Sequence, residues 1–439
     1  MQRARKGISG LVFLTVFIDV MGFSILFPLL PEMLEHYLAR EGSESVIGGL
    51  VSTLSGLVSE SQGSWSVAVL FGSVLGSLYS LLQFSFAPFW GALSDRVGRR
   101  PTLLVTLGGT AVSYLMWVFA GSFWLLLLAR FVGGAMAGNI STASAVVADT
   151  STGAERAKGM GMLGAGIGLG FVLGPAIGGL SAGWDVLALW PAGEAFGLNP
   201  FSGPALIALL LALGNVSWAA LRFPETLAPD ARGKGANERS LNPFRALRRI
   251  DVPGVRTTNV AYFLYFAAFS AIEFTLTFLA VERLGFSVGD NALMFVFVGL
   301  LLAAVQGGVV RRLVPRFGER ALTRAGLVLT VPGFVAIGLT QSTGLLYVGL
   351  TFMAVGSALA MPCLTALVSR YSPPQHQGLA LGTFRSMGAL ARAIGPLLGG
   401  ALYWQLGSAA PYLAGAAFLV LPLALVARLP ATEARFRLS

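Results

Sequence analysis

The sequence predicts an all-α membrane protein in which twelve transmembrane helices form two six-helix bundles arranged as a parallel repeat. Of its 439 residues 55% are apolar and only 11% are charged, whereas soluble domains carry roughly 25% charged residues. The apolar residues fall into twelve runs, each close to or above the roughly 20 residues that a membrane helix needs. Motifs of the first half also recur in the second half at a nearly constant offset.

Each apolar run is interpreted as one crossing of the membrane. The runs are far longer than the strands of about ten residues in a transmembrane β-barrel, which excludes that class. The first run contains Asp19 and shows no cleavage site, so it is interpreted as a helix and not as a signal peptide. The predicted crossings are 8–30, 66–90, 102–120, 122–147, 158–180, 203–222, 257–280, 289–310, 322–340, 344–368, 378–403 and 408–427.

The positions of the basic residues predict the topology. Of the 30 Lys and Arg, 25 lie on the side of the N-terminus, Arg40 and Arg283 lie on the opposite side, and three fall inside apolar runs. Positive residues concentrate in cytoplasmic loops, so both termini are expected in the cytoplasm of a multi-pass protein of the cell (inner) membrane. The net charge of +10 then reflects topology and does not indicate a nucleic-acid partner.

Two motifs establish the internal repeat. RVGRR at 96–100 recurs as RFGER at 316–320, and LGPAIGG at 173–179 recurs as IGPLLGG at 394–400. Because six helices separate the copies, the halves have the same orientation, as in transporters built from two bundles around a central site. The predicted domains are an N-terminal bundle at 1–222, a cytoplasmic linker at 223–256 and a C-terminal bundle at 257–439.

Enzymatic and metal chemistry are not expected. The chain has one cysteine, Cys363, and two histidines, His36 and His376, which are too few ligands for a Cys/His zinc site. The sequence shows no nucleophile–base set, so neither a cofactor nor a metal is expected. The two long outer segments, 31–64 and 181–202, are interpreted as lids or as solvated and interfacial loops.

Two charged residues inside the membrane carry the first functional prediction. A charge at the bilayer centre costs about 2.5–3.5 kcal/mol, so it is expected to face a partner or a cavity. Asp19 lies about 16 Å from the cytoplasmic side of the first helix, and Arg130 lies about 18 Å from that side on the fourth. The matching depths predict an ion pair between them, which either takes part in proton coupling and substrate binding or holds the bundle together.

A second pair of charges lies in the second half. Glu273, in the seventh crossing, has no opposite charge near it in sequence. It is interpreted as a second proton-titrating or substrate-binding group, the alternative being an interfacial residue that reaches outer water. In the eleventh crossing Arg385 is expected to reach the cytoplasmic interface, and the deeper Arg392 is expected to partner Glu273 or to bind an anion.

Further polar and aromatic side chains inside the crossings are candidates for lining a cavity. The polar ones bind substrate or join helices, and the aromatic ones suit flat apolar ligands or pack in the core. The candidates are Gln83, Asn139, Asn259, Tyr262, Phe266 and Gln306.

The fifth crossing carries glycines at intervals of four. Such a stripe allows another helix to approach closely, and the eighth crossing offers its own small residues at Gly299, Ala303 and Gly307. The two stripes are expected to form a gate surface between the halves, the alternative being a static packing site. The gate residues are Gly166, Gly170, Gly174, Pro175, Gly178 and Gly179.

The turn between the second and third crossings has the sequence GALSDRVGRRP at 91–101. Pro101 suits the start of a helix, and an acid is favoured near a helix N-terminus. The turn either only fixes topology or acts as a charged latch between the halves. The latch residues are Gly91, Asp95, Arg96, Gly98, Arg99 and Arg100.

These motifs resemble those of the major facilitator superfamily. The turn resembles its loop signature, GAGIGLGFVLGPAIGG at 164–179 resembles the signature of its proton antiporters, and LLARFVGGAMAG at 127–138 resembles its fourth-helix signature. The arginine that this last signature links to proton transfer is Arg130 here. FIDVMGFSILFPLLPEML at 17–34 is similar to the first helix of the tetracycline/proton antiporters. The resemblance implies a cavity lined by the first, fourth, seventh and tenth helices.

The resemblance implies a secondary active transporter that exports a hydrophobic or amphipathic, drug-like molecule in exchange for protons by alternating access. The chain departs from the tetracycline branch because it has no acid in the crossing at 322–340 and has Pro315 where the loop repeat requires an equivalent of Asp95. The expected partners are the small molecule, protons and membrane lipid, and the expected state is a monomer. The alternatives are a carrier of a sugar, metabolite or lysolipid, and a non-transporting receptor with the same fold.

Overall fold

The computed structural model describes most of the chain. Every regular element within the described residues is helical. Most of the predicted linker, the tip of the first long outer segment and His376 lie outside them. The described residues are 2–56, 65–150, 153–227, 232, 253–372 and 377–430.

Ten helices precede residue 223 in the described part of the first half. A short 3₁₀ turn, Phe27–Leu29, connects the first two, and a second 3₁₀ segment, Pro191–Phe196, follows the ninth. The helices are α1 (Gln2–Ser24), α2 (Leu30–Glu41), α3 (Val46–Gly56), α4 (Trp65–Val97), α5 (Arg99–Val118), α6 (Phe123–Met136), α7 (Asn139–Thr150), α8 (Gly153–Ser181), α9 (Val186–Leu189) and α10 (Ser202–Arg222).

Seven helices follow in the described part of the second half. A turn of π-helix, Val305–Val310, joins two of them. The helices are α11 (Pro253–Leu284), α12 (Val288–Ala304), α13 (Arg311–Gly338), α14 (Thr343–Tyr371), α15 (Gln377–Leu406), α16 (Ala410–Phe418) and α17 (Val420–Ala427).

All twelve predicted crossings lie on helices, which confirms the fold class. Within the described residues, ten helical stretches are long and apolar enough to span a membrane. One of them, Val288–Gly338, contains two predicted crossings, which are separated where Gly318 adopts a φ of 75° that breaks the helix. The crossing at 378–403 lies on α15. The division into 1–222, 223–256 and 257–439 stays a prediction.

The repeat is visible in the way equivalent helices begin. Ser122 precedes α6 and accepts a hydrogen bond from the Leu125 N–H at 3.4 Å. Ser342 precedes α14 and accepts the equivalent bond from the Leu345 N–H at 3.3 Å. A serine in this position satisfies a backbone donor that the helix leaves free. Both halves therefore start their fourth crossing with the same cap.

The two long outer segments are packed against the first bundle in their described parts. The Tyr37 hydroxyl donates to the Ala120 carbonyl at 2.6 Å, and Asn199 Nδ2 donates to the same carbonyl at 2.9 Å. Arg40 of the first segment forms a 3.3 Å ion pair with Glu194 of the second. The segments thus pack together over α4–α6, while Trp184, Leu189 and Phe196 of the second segment are largely exposed, as the interpretation as solvated or interfacial loops expects.

The crossings alternate in direction, which defines two faces. The terminal face carries the start of α1 and the turn at 91–101, and the loop face carries α2, α3 and α9. On the loop face the halves are in close contact, because Gly72 lies against Phe274 and Phe278. The main contacts between the halves pair α4 with α15 and α8 with α12. The halves are therefore closed over the loop face.

Candidate functional site

A narrow cavity lies between the halves near the middle of the bundle. The end of α1 with the following turn, α4 and α8 line it from the first half, and α11 and α15 line it from the second. About 20 Å³ of it is open to the centre of a water-sized group, so it admits only water-sized groups in this conformation. Its lining residues are Phe23, Phe27, Gly76, Ser80, Phe171, Ser270, Glu273, Phe274, Arg392 and Pro396.

Asp19 is buried beside this cavity. Its side chain is 5% exposed and faces the Asn139 amide, which starts α7. Asn139 Nδ2 makes no hydrogen bond of normal geometry within the described residues, so the two groups are close without being tightly bonded. Tyr79 and Tyr114 lie within electrostatic reach of the carboxylate. The first-half acid therefore sits in a polar pocket that no described cation neutralises directly.

The predicted ion pair between Asp19 and Arg130 is not formed in this conformation. The Arg130 guanidinium lies over two rings instead, 5.1 Å from the centroid of Phe23 and 4.8 Å from that of Tyr79. Its Nε and Nη2 are buried and have no hydrogen-bond partner among the described residues. Buried donors without a partner cost about 1–3 kcal/mol each, so this guanidinium is suited to bind an acceptor that enters the cavity.

Glu273 and Arg392 both line the cavity, as the pairing predicted for the second half requires. They interact electrostatically without a direct ion pair among the described contacts. The Arg392 guanidinium lies 5.2 Å from the ring centroid of Phe171 and 5.5 Å from that of Phe266. Each half thus contributes one acid and one arginine stacked on aromatic rings.

An aromatic layer connects the two arginines across the boundary between the halves. Phe23 stacks on Tyr79 with centroids 4.1 Å apart and meets Phe171 edge to face at 5.8 Å. Because Arg130 covers one end of this layer and Arg392 the other, the rings and both cations form one surface. Neither Tyr79 nor Phe171 was predicted from the sequence, because Tyr79 lies in no motif and Phe171 lies in the 164–179 motif without being one of its glycines. Their meeting depends on how the helices are rotated about their axes.

The remaining cavity candidates lie outside the lining. Tyr262 stacks on Phe384 at 3.7 Å and on Phe266 at 5.4 Å, and it forms a buried aromatic ladder in the second half. Asn259 Nδ2 donates to the carbonyl of Val255 in its own helix at 2.9 Å. Two further candidates, the buried Gln83 of α4 and the half-buried Gln306 of the π-turn, also lie away from it.

The glycine stripe of α8 faces α1 of its own half. A Cβ at Gly166 would touch Phe13, one at Gly174 would meet Ser24 and the Met21 carbonyl, and one at Gly178 would meet the Ile25 carbonyl. Along most of its length the stripe therefore packs within its own half, while Gly299 of the matching stripe lies against Val172 of α8. A gate surface between the halves stays a prediction. The stripe repeats in α15, where Gly395 and Gly399 contact α11 in the same way.

Among the described glycines of the two stripes, the last one of each faces the other half. Gly179 lies against Val288 and Ala292 of α12, and Gly400 lies against Ser73 of α4. Pro175 precedes this contact inside α8. The two glycines are equivalent in the repeat, so a symmetric pair of close contacts seals the loop face.

The turn at 91–101 is held within the first half. The Arg99 guanidinium donates to Asp95, to Ser94 Oγ at 2.8 Å and to Asp149 Oδ2 at 2.7 Å. Ser94 Oγ in turn donates to the Gly91 carbonyl at 2.9 Å. All of these partners belong to the first half, so these contacts do not form the predicted latch between the halves. Their geometry is that of a clamp between α4, α5 and α7.

Glu225, beyond the end of α10, completes this clamp. Its carboxylate accepts from the backbone N–H of Arg99 at 3.0 Å and of Arg100 at 3.3 Å. Burial opposes its ionisation, but four backbone N–H donors outweigh burial, so its pKa lies below its usual value of 4.5. Gly98, with a φ of 124°, directs these donors toward the acid, and Arg96 is exposed.

Metal ligation finds no support in the described residues. They contain no group of three or more His, Cys, Asp or Glu side chains that could hold an ion. Cys363 is buried among apolar residues of α12–α14. The chemistry of the site is therefore that of charges, hydrogen bonds and aromatic rings.

Comparisons with known proteins agree with this architecture. The sequence profile described as Major Facilitator Superfamily matches residues 12–343 and 307–438. Major facilitator superfamily domain-containing protein 10 from Homo sapiens is 36% identical over 438 residues, which cover 98% of this chain and 94% of that protein. Tetracycline resistance protein, class B, from Escherichia coli is 29% identical over 392 residues, which cover 88% and 86%.

The solved structures include the crystal structure of the human organic anion transporter MFSD10 (TETRAN). It is 33% identical and has a TM-score of 0.78, with 96% of this chain and 99% of that chain covered. A bacterial homolog of the human lysosomal transporter Spinster, in an inward-facing and unoccupied conformation, shares the fold at 16% identity and a TM-score of 0.66. This chain, a non-enzymatic carrier of small molecules, therefore belongs to the major facilitator superfamily.

Proposed function

We propose that this carrier exports an amphipathic aromatic molecule in exchange for protons, with the terminal face in the cytoplasm and the chain in the inner membrane. The observation that carries the proposal is the central layer in which each half supplies one acid, the buried Asp19 or the half-buried Glu273, and one arginine stacked on aromatic rings. Closure over the loop face, together with basic residues concentrated on the terminal face, supports uptake of substrate from the cytoplasmic side.

Proton exchange is supported by the state of the two acids. Asp19 is buried and Glu273 is half-buried in the cavity wall, and neither forms a direct ion pair among the described contacts. A carboxylic acid in such a place binds a proton when it is enclosed and releases it when the cavity opens to water. Alternating access then couples the protonation of each acid to the direction in which the cavity faces.

The substrate class favoured by the cavity carries an aromatic or apolar body and an anionic group. Phe23, Phe171 and Phe266 provide ring faces, while the unpartnered donors of Arg130 provide hydrogen bonds for an anion. Guanidinium groups suit carboxylates and phosphates because they donate two parallel hydrogen bonds. The similarity to the structure named as an organic anion transporter supports an organic anion, and the tetracycline resistance proteins support drug export.

Substrate-evoked proton flux tests this proposal. The purified chain is reconstituted in liposomes with an imposed pH gradient and exposed to aromatic organic anions, tetracycline and lipophilic cations. We expect proton release with at least one anionic aromatic compound, and its loss in Asp19→Asn. Glu35→Gln, which neutralises an exposed acid of α2, is the matched control and retains the flux.

Two outcomes would overturn parts of the proposal. Wild-type coupling in a folded Asp19→Asn variant would remove that acid from the proton pathway. Flux that responds only to cations would remove the arginines from substrate recognition. Binding of a compound with no flux would favour a receptor, and flux of a sugar or lysolipid without protons would favour the other carrier class.

A further inference from the structure

The two copies of the terminal-face turn differ in charge. Where the first copy has Gly91, Ala92 and Asp95, the second copy at 311–321 has two arginines and a proline. The second turn therefore lacks an equivalent of Asp95, the acid that binds Arg99 in the first turn, and carries two additional arginines. A change of this size at equivalent places indicates that the second turn has a different partner.

Some of the basic residues in this region already have partners. Arg370 forms a 2.9 Å ion pair with the buried Glu319. Arg320 and Arg324 both donate to the Ala427 carbonyl, at 2.6 and 2.7 Å, and so tie α13 to the end of α17. These contacts account for Arg320, Arg324 and Arg370.

Three other arginines in this turn have no such partner. Arg311, Arg312 and Arg316 are exposed, and in the part of the chain that the structure describes they form no ion pair and no hydrogen bond through their side chains. Phe317 lies next to them with 62% of its surface exposed. These four residues are called the basic patch.

The basic patch lies where the bilayer headgroups meet the protein on the terminal face. Beyond the kink at Gly318, α13 enters an apolar span, and Val328 is 52% exposed on its surface. At 1.5 Å per residue Val328 lies about 15 Å further along this helix, which places it within the hydrocarbon layer. The patch at the start of the helix then lies at the level of lipid phosphates, with Phe317 at the depth that aromatic side chains favour.

We propose that the basic patch binds the headgroup of an anionic phospholipid in the leaflet at the terminal face. Three guanidinium groups can surround one phosphodiester with charge-assisted hydrogen bonds, while Phe317 and the apolar surface of α13 contact the acyl chains. The three side chains stand on an open surface without walls, which suits a ligand held in place by the membrane better than a free anion. This assignment does not depend on the transported substrate.

Lipid binding to the purified full chain tests the proposal. Native mass spectrometry and thermal shift in detergent micelles measure binding of phosphatidylglycerol and of phosphatidylcholine with the same acyl chains. The test variant carries Arg311→Gln, Arg312→Gln and Arg316→Gln. The matched control carries Arg96→Gln, Arg222→Gln and Arg256→Gln, which remove the same charge from exposed sites on the same face.

We expect the wild type to prefer phosphatidylglycerol and the test variant to bind it at least tenfold more weakly, because each arginine near an anionic surface contributes about fivefold. The control variant keeps the preference, and a variant with three Lys at the patch keeps part of it. Equal binding by wild type and test variant would overturn the proposal, as would an equal loss in the control. Displacement of the lipid by millimolar glycerol phosphate would instead identify a free-anion site. Size-exclusion profiles verify that each variant is folded.

Discussion

The two halves form the same charged contact on the terminal face with the charges exchanged. In the first half Arg99 of α5 donates to Asp149 of α7 at 2.7 Å, and in the second half Arg370 of α14 contacts Glu319 of α13 at 2.9 Å. The internal repeat aligns Arg99 with Glu319 and Asp149 with Arg370. The position of the contact has thus been kept while its polarity has reversed, which indicates that its role is to join two helices.

The surroundings of the two contacts differ more than their geometry does. Arg99 is 3% exposed and has Asp95 as a second acidic partner, whereas 54% of the Arg370 side chain is exposed. Removing Arg99 leaves two acids where a buried cation stood, whereas in the second half the acid, Glu319, is buried but its cation is half in water and therefore screened. The first turn is therefore a rigid clamp, and the second turn is free to serve the basic patch.

The largest expected effect is on the clamp of the first half. Arg99→Ala removes the buried guanidinium that Asp95 and Asp149 share and is expected to reduce the free energy of unfolding by about 3–5 kcal/mol. Arg370→Ala is expected to reduce it by less, about 1–3 kcal/mol, because it takes the cation from one buried acid, Glu319, and the Arg370 side chain is itself 54% exposed. Thermal unfolding in detergent measures both, and equal losses would contradict the distinction between the halves.

Exchanging the acid and the arginine within each contact tests whether the two halves differ in this way. Glu319→Arg combined with Arg370→Glu should restore most of the stability that either single change removes. The second half has Pro315 where the first half has Asp95, so no additional acid is there to depend on the original charges. Arg99→Glu combined with Asp149→Arg should restore the stability only when Asp95→Asn is added. A first-half exchange that is tolerated without this third change would show that Asp95 does not belong to the clamp.

Hydropathy and charge placement predicted the crossings and the repeat because both are local properties of the sequence. Contacts between side chains were harder to predict, since equal depth in the membrane does not fix how a helix is rotated about its axis. Asp19 and Arg130 match in depth, yet Arg130 turns toward the ring of Tyr79. The α8 stripe was likewise recognised as a packing surface, but its spacing carried no information about which helix it meets.

The glycine stripes predict changes of intermediate size in the free energy of unfolding. Gly178→Ala would place a methyl group against the Ile25 carbonyl, and Gly399→Ala would place one against Ala271 of α11. Each is expected to cost about 1–3 kcal/mol of unfolding free energy through overpacking. Gly168→Ala on the same α8 meets nothing within 4 Å and should be neutral or stabilising by up to about 1 kcal/mol. A similar loss at all three positions would mean that the stripes have no specific packing role.

The smallest effect is expected at the acid that completes the first turn. The motif Arg-Phe-Pro before Glu225 recurs as Arg-Leu-Pro at 428–430, but there Ala431 follows the proline. Glu225→Ala removes the acceptor for two N–H groups at the start of α5 and should cost about 1 kcal/mol, as loss of a helix cap does.

The pH dependence distinguishes this cap from a general surface effect. Because the pKa of Glu225 is lower in the folded chain than its usual 4.5, its contribution to stability is complete above that value and is lost as the pH falls through the folded-state pKa. The difference in unfolding temperature between wild type and Glu225→Ala should therefore be constant above about pH 5.5 and should shrink below pH 4.5. A difference that persists unchanged at the lowest pH would show that the carboxylate charge is not what holds the turn, and that the first half keeps its clamp through Arg99 alone.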